Sequence, residues 1–178
     1  MPRKADPELE RRLVVAAKTL LDRQGADAIT MRAVAKAAGT TTPTVYERFR
    51  DRGQLMEAVI DDVREDLLMH LRGSTTMVSF SQSFMKYFLS NPNAFEVMRD
   101  TWPARLGGDL PKPAFELAQQ ILREQHGKTR TQAHQIALAA ASLLIGALGF
   151  MLAAKEKETE GAIGKTAIKA LRVLCEDM

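Results

Sequence analysis

The sequence predicts an all-α fold: a three-helix helix-turn-helix domain followed by a larger helical domain, with about nine helices in all. Ala, Leu and Met are prominent, and aromatic residues make up only 6% of the 178 residues, which favours helices over strands. Apolar residues recur at helical spacing, and no strand-like alternation or internal repeat stands out. We place the first domain at residues 1–54 and the second at residues 55–178.

The first domain is expected to consist of short helices with clear start and stop signals. An apolar stripe at three- and four-residue spacing predicts the first helix, and the Val45–Phe49 pair packs the third helix onto the others. A proline or a capping hydroxyl marks each start and a glycine marks the first two ends. The starts are Pro7 after Asp6, Thr30 and Thr41, and the ends are Gly25 and Gly39. Short helices around one tight glycine turn are typical of a helix-turn-helix.

The remainder of the chain reads as longer helices separated by glycine, proline and asparagine. A helix over about 54–71 is followed by a break at the GSTT sequence of residues 73–76. The other expected helices cover residues 80–89, 94–102, 113–126, 129–157 and 163–176. This second domain carries no recognisable motif of its own.

The stretch from Ile136 to Ala154 is the most apolar part of the chain. Its 19 residues contain no charge, which is close to the length of a membrane span. Its high Ala and Gly content and its polar flanks favour a helix that is buried on several sides in a soluble protein. We therefore expect no membrane association, with a membrane-anchored form as the lesser alternative.

Positive charge is concentrated near the N-terminus. Residues 1–54 hold 11 Lys and Arg against 7 Asp and Glu, whereas the rest of the chain holds 14 against 15. Such an excess is expected of a domain that meets an anionic polymer such as DNA. The single cysteine, Cys175, excludes an intramolecular disulfide framework, and the polar N-terminal residues lack the apolar segment of a signal peptide. We expect a cytoplasmic protein.

The sequence offers no pattern of a catalytic or metal-binding site. The histidines, His70, His126 and His134, are scattered along the chain. No nucleophile–base arrangement, phosphate-binding glycine loop or metal-ligand spacing occurs. An enzyme is therefore not expected, and neither is a cofactor or a bound metal.

A set of residues between Gly25 and Val59 falls in register with a known kind of DNA-binding domain. They are Thr30, Val34, Ala35, Ala38, Gly39, Thr41, Thr44, Tyr46, Phe49, Arg52 and Leu55. With these residues the segment resembles the DNA-binding domain of the TetR family of transcriptional regulators. Pro43 stands where the family usually has glycine, and Thr40 replaces a common valine.

This resemblance implies a sequence-specific transcriptional regulator whose third helix enters the major groove of DNA. Thr42 and Thr44 are then the candidates for reading bases, and Arg48 or DNA shape is expected to add specificity. Tyr46 and Arg52 are expected to bind phosphates, and Thr30 and Thr41 to present helix ends to the DNA backbone as well as capping their helices.

The resemblance also implies a homodimer and a small effector. The last two helices would pair with those of a second copy and place two reading helices on a palindromic operator. A cavity rich in aromatic and methionine side chains would bind a small, apolar or aromatic effector that releases the repressor. Its expected lining is Phe84, Phe88, Phe95, Met98, Trp102 and Phe115. The alternative is a DNA-binding architectural or activator protein without a small-molecule switch.

Overall fold

The computed structural model of the chain describes residues 7–99, 101–102 and 112–177. Within these ranges the chain forms α-helices and one short 3₁₀ turn and contains no strand, which confirms the predicted all-α fold. The helices are α1 Pro7–Gln24, α2 Met31–Ala37, α3 Thr42–Tyr46, α4 Arg52–Leu71, α5 Met77–Ser90, α6 Pro92–Arg99, α7 Pro113–His126, α8 Arg130–Ala153 and α9 Lys157–Asp177, and the 3₁₀ turn is Ala26–Ala28.

The described chain divides into two compact units, and the division falls inside α4. The first unit runs to Glu65 and also includes Asn93–Met98 from α6. The second unit contains Asp66–Pro92 and the residues from Arg99 onward. The predicted boundary at residue 54 lies in the first turn of α4, and as a domain boundary it stays a prediction.

The first unit is held together by an apolar core drawn from α1 to α4. Leu13, Val34, Val45 and Val59, one from each helix, are completely buried. Removing such side chains from water contributes about 1.5–3 kcal/mol each. A hydrogen-bonded ion pair between Lys18 and Asp62, 2.8 Å long, joins α1 to α4 at the edge of this core. The short α2 and α3 therefore depend on tertiary packing rather than on their own helix propensity.

The corner after α1 is capped by a side chain from far along the sequence. α1 ends at Gly25, whose φ of +82° is a conformation that favours glycine. The amide Nδ2 of Asn93 donates to the carbonyl oxygens of Leu21 and Asp22, at 3.0 and 3.2 Å. These carbonyls belong to the last turn of α1, and that of Leu21 also accepts from the amide of Gly25 at 2.9 Å. Asn93 thus fastens the start of α6 to the end of α1 within the first unit.

The second unit packs α8 against α5, α7 and α9. Leu122, Ile136, Leu148 and Leu171 are fully buried between these helices. Gly164 allows α9 to approach α8 closely, because an added Cβ would lie only 3.1 Å from Cε of Met151. α8 is also the only helix in the described ranges that is long and apolar enough to cross a membrane, a property it shares with core helices of soluble proteins.

The predicted boundary between the last two helices is wrong. The sequence suggested that the eighth helix continues to Lys157 and that the ninth begins at Ile163. Instead α8 ends at Ala153, the extended backbone of Ala154 breaks the chain, and α9 starts at Lys157.

Candidate nucleic-acid interface

Both helices of the helix-turn-helix begin at a threonine cap. The Oγ1 atom of Thr30 accepts a hydrogen bond from the amide of Ala33 at 3.1 Å, and Oγ1 of Thr41 accepts one from the amide of Thr44 at 3.4 Å. Gly39, with a φ of +65°, forms the tight turn between α2 and α3. The predicted caps and turn are confirmed.

The hydroxyl of Thr44 is engaged within the helix. Its Oγ1 lies 2.9 Å from Oγ1 of Thr41, so the two hydroxyls share a hydrogen bond. Thr42 and Thr44 are half-buried, and Pro43 between them is exposed. Since the hydroxyl of Thr44 is turned back toward the cap, its methyl group is the part that is free of polar contacts.

The far end of α3 separates core from surface. Val45 and Phe49 are buried, at 0% and 3% exposure, whereas Tyr46 is 54% exposed. This confirms the predicted packing pair and leaves the tyrosine hydroxyl accessible. The Nε atom of Arg48 is buried and has no hydrogen-bond partner among the described residues.

The start of α4 has its own cap, built by Asp51. Its Oδ1 accepts from the amide of Gln54 at 2.9 Å, and Oε1 of Gln54 accepts from the amide of Arg50 at 2.7 Å. The guanidinium of Arg50 also pairs with Asp51 at 2.9 Å. The backbone bond from Gln54, and then the bond from Arg50, lower the pKa of Asp51 below its usual value of 3.8.

Arg52 makes contacts that its sequence position did not reveal. Its Nε donates to the carbonyl oxygen of Ile29, and its Nη2 donates to that of Ala26, both at 2.7 Å. These carbonyls lie in the corner between α1 and α2. The same arginine was predicted to bind a DNA phosphate, and that role stays a prediction.

One basic residue in this region escaped the sequence analysis. Arg32 is exposed in the first turn of α2, two residues after the Thr30 cap. Its position beside a capped helix end, within the basic first domain, is the signal that could have placed it among the candidate DNA contacts.

Comparison with known proteins agrees with this geometry. Residues 13–59 match the family model described as bacterial regulatory proteins, tetR family. No curated protein sequence matches the chain. In sequence, the likeness to the TetR family rests on this N-terminal segment, which spans the helix-turn-helix and the start of α4. The match supports a DNA-binding regulator.

Solved structures of TetR-family proteins share the fold over nearly the whole chain. A TetR-family transcriptional regulator from Streptomyces coelicolor has a TM-score of 0.73 at 16% identity, covering 96% of this chain and 81% of that one. A TetR variant from Acinetobacter baumannii AYE in complex with minocycline has a TM-score of 0.66 at 18% identity, covering 92% of both chains. The multidrug binding protein EbrR complexed with imidazole has a TM-score of 0.66 at 19% identity, covering 98% and 93%.

The aromatic residues of the protein do not form one group. Phe84, Phe88 and Trp102 of the second unit contact each other, with ring centroids 5.0–6.0 Å apart. Phe95 and Met98 are buried, at 1% and 2% exposure, and belong to the first unit. The six predicted effector contacts are therefore divided between the two units.

The remaining predicted effector residue, Phe115, borders a polar cleft. Its ring meets the edge of His134 in a T-shaped contact with centroids 5.4 Å apart. The cleft has a volume of about 560 Å³, which is within the usual range for small-molecule sites. Arg130, Lys112 and Glu116 also line it, so its lining is more polar than the sequence predicted.

Proposed function

We propose that this protein is a cytoplasmic repressor of the TetR family that binds a palindromic operator as a homodimer and is released by a small effector. The observation that carries the proposal is the reading helix α3, whose apolar side is buried while Tyr46, Pro43 and the threonine-rich start remain accessible. The basic first domain adds attraction to phosphates. One such helix makes few base contacts, so useful affinity requires two copies.

The proposed dimer is supported by the unburied apolar surface of α8 and α9. Only 39% of the most apolar 18-residue stretch of α8 is buried, although the helix carries no charge after Arg130. Phe150 on α8 is 71% exposed and Val173 on α9 is 50% exposed. Ser142, Gly146 and Gly149 are also exposed along α8, and such small residues let a second helix approach. A second copy of the same two helices would cover this face in a four-helix arrangement.

The proposed DNA contacts divide into base reading and positioning. Thr42 and Thr44 would contact base edges, with the methyl of Thr44 suited to a thymine methyl. Tyr46 would bind a phosphate through its exposed hydroxyl, and Thr30 and Thr41 would lie against the backbone at their helix starts. Arg48 would add specificity from its half-buried position just after α3.

The proposed effector is a small apolar or aromatic molecule. Phe84, Phe88 and Trp102 supply an aromatic cluster in the second unit, and Phe115 supplies a ring at the edge of a ligand-sized cleft. Two of the structurally similar proteins were solved with minocycline and imidazole, which supports a ligand-binding role for this fold. Effector binding would release the operator only through its preference for one conformation over the other.

An activator, or an architectural DNA-binding protein without a switch, is the alternative. Both share the same reading helix. They differ in what ligand binding does, so the alternative is favoured if no small molecule changes the affinity for DNA.

Selection of bound DNA from a random pool tests the proposal directly. We expect a palindrome whose half-sites lie about 34–36 Å apart or a multiple of that distance. Recovery of unrelated sequences would contradict operator recognition. Titration of the selected operator with candidate aromatic ligands then tests derepression, and operator affinity that no ligand alters would support the alternative. A Tyr46→Ala variant should weaken binding to all sequences, whereas Thr44→Ala should relax base preference.

A further inference from the structure

The guanidinium of Arg52 forms a side-on pair of hydrogen bonds with the protein's own backbone. The Nε–H and one Nη2–H of arginine lie side by side and form the fork that binds carboxylates and phosphates in two-pronged fashion. In this structure those two atoms donate to the carbonyls of Ile29 and Ala26, both at 2.7 Å. This side-on fork is therefore occupied by backbone, and only the remaining N–H groups of Nη1 and Nη2 are left for another acceptor.

The two acceptors lie at the corner that leads into α2. The 3₁₀ turn Ala26–Ala28 follows Gly25, and no side chain at Gly25 caps it. Ile29 is completely buried and immediately precedes Thr30, the cap of α2. Arg52 thus binds the carbonyl of Ala26, the first residue of the turn, and that of Ile29, which lies between the turn and the Thr30 cap.

We propose that Arg52 is a positioning residue for DNA recognition: it holds the α1–α2 corner, and with it α2 and the reading helix α3, instead of binding a phosphate. The inference rests on the proposed DNA-binding role of α3. α2 packs against both α1 and α3, so a shift at the corner moves α3 with it. Charged donors make the strong class of hydrogen bond, and the planar fork, not the charge alone, lets one side chain bridge two carbonyls.

The test separates charge from geometry with Arg52→Lys and Arg52→Met. A phosphate contact would survive largely in Arg52→Lys, whereas Arg52→Met would lower the slope of log Kd against log salt by about 0.9 per protomer, or about 1.8 for the proposed dimer. A positioning residue gives another pattern. Both variants should weaken operator binding by a similar factor, about tenfold or more, and leave the slope as in the wild type. Arg50→Met removes the same charge two residues away and is the matched control for long-range electrostatics.

A second readout needs no DNA. The amide of Ala33 is bonded to the Thr30 cap, so its hydrogen exchange reports whether the start of α2 is held. The hydrogen-exchange rate of this amide should be higher in both Arg52 variants than in the wild type and in Arg50→Met. The rates are compared at a temperature where circular dichroism shows that all four proteins are folded. If a substituted protein does not fold, Arg52→Gln offers a milder change with the same expectations.

The outcomes are distinct. Wild-type affinity and exchange in Arg52→Lys, with a reduced salt slope in Arg52→Met, would overturn the positioning role. Faster exchange in both variants without any DNA binding by the wild type would instead contradict the proposed function, and would leave the corner contact of Arg52 established. Weaker binding, an unchanged slope and faster exchange in both variants would support the inference.

Discussion

The exposed ring of Phe150 gives the sharpest test of the proposed dimer. A phenylalanine side chain presents about 200 Å², and 71% exposure leaves about 140 Å² for a partner to cover. At about 25 cal/mol per Å², full burial contributes about 3.5 kcal/mol per protomer. The two-fold symmetry of a dimer doubles this to about 7 kcal/mol, which is an upper value because burial in an interface is incomplete.

Phe150→Ala should therefore weaken dimerisation by about 5 kcal/mol, or more than about a thousandfold in Kd. Sedimentation equilibrium over a range of protein concentrations measures this directly. The unfolding temperature of the isolated subunit should change little, since the ring is mostly in solvent before association.

Met69→Ala is the matched control. Met69 on α4 is 61% exposed and lies outside the proposed interface, so its truncation should leave the dimer intact. A Phe150→Ala protein that dimerises within about threefold of the wild type would refute the reasoning. A wild-type protein that remains monomeric would do the same.

Three other measurements follow from single contacts. The hydroxyl of Thr44 is shared with Thr41, so Thr44→Val should bind the operator nearly as tightly as the wild type, whereas Thr44→Ser, which lacks the methyl, should bind about tenfold more weakly. Replacing the contacted thymine by uracil should weaken binding of the wild type but not of Thr44→Ser. The pKa of Asp51 is lowered in the folded state, so its charge stabilises the fold above the unfolded pKa of about 3.8, and this contribution is lost as the pH falls through the lower folded pKa. The wild type should therefore melt at a higher temperature than Asp51→Asn at neutral pH, and this difference should vanish in acid. Burial raises the pKa of the Cys175 thiol, so iodoacetamide should modify it slowly in the native protein and rapidly in denaturant.

The helix-turn-helix could be predicted from the sequence because its signals are local. The caps at Thr30 and Thr41 and the turn at Gly39 each act within four residues of their own position, and all three were found where the sequence placed them. The burial of Val45 and Phe49 follows from their four-residue spacing. Local rules suffice where the stabilising contact is itself local.

Contacts between distant residues could not be predicted in this way. The partners of Arg52 are backbone carbonyls, which every residue possesses and which leave no mark in the sequence. The sequence predicted a helix through to Lys157, whereas the chain breaks at Ala154, which carries no glycine or proline signal. The division of the aromatic residues between two units depends on how α6 packs, and helical spacing alone does not determine that.

The hydrogen bonds from Asn93 to the end of α1 limit how this protein can be divided into fragments or chimeras. A fragment that stops at Glu65 would leave the carbonyls of Leu21 and Asp22 without the amide that bonds them. The DNA-reading unit is thus discontinuous in sequence, and a chimera made by one crossover in α4 would separate the reading helices from a residue that supports them. Transfer of the reading specificity to another scaffold would require three crossovers, one after Glu65 and one at each end of Asn93–Met98.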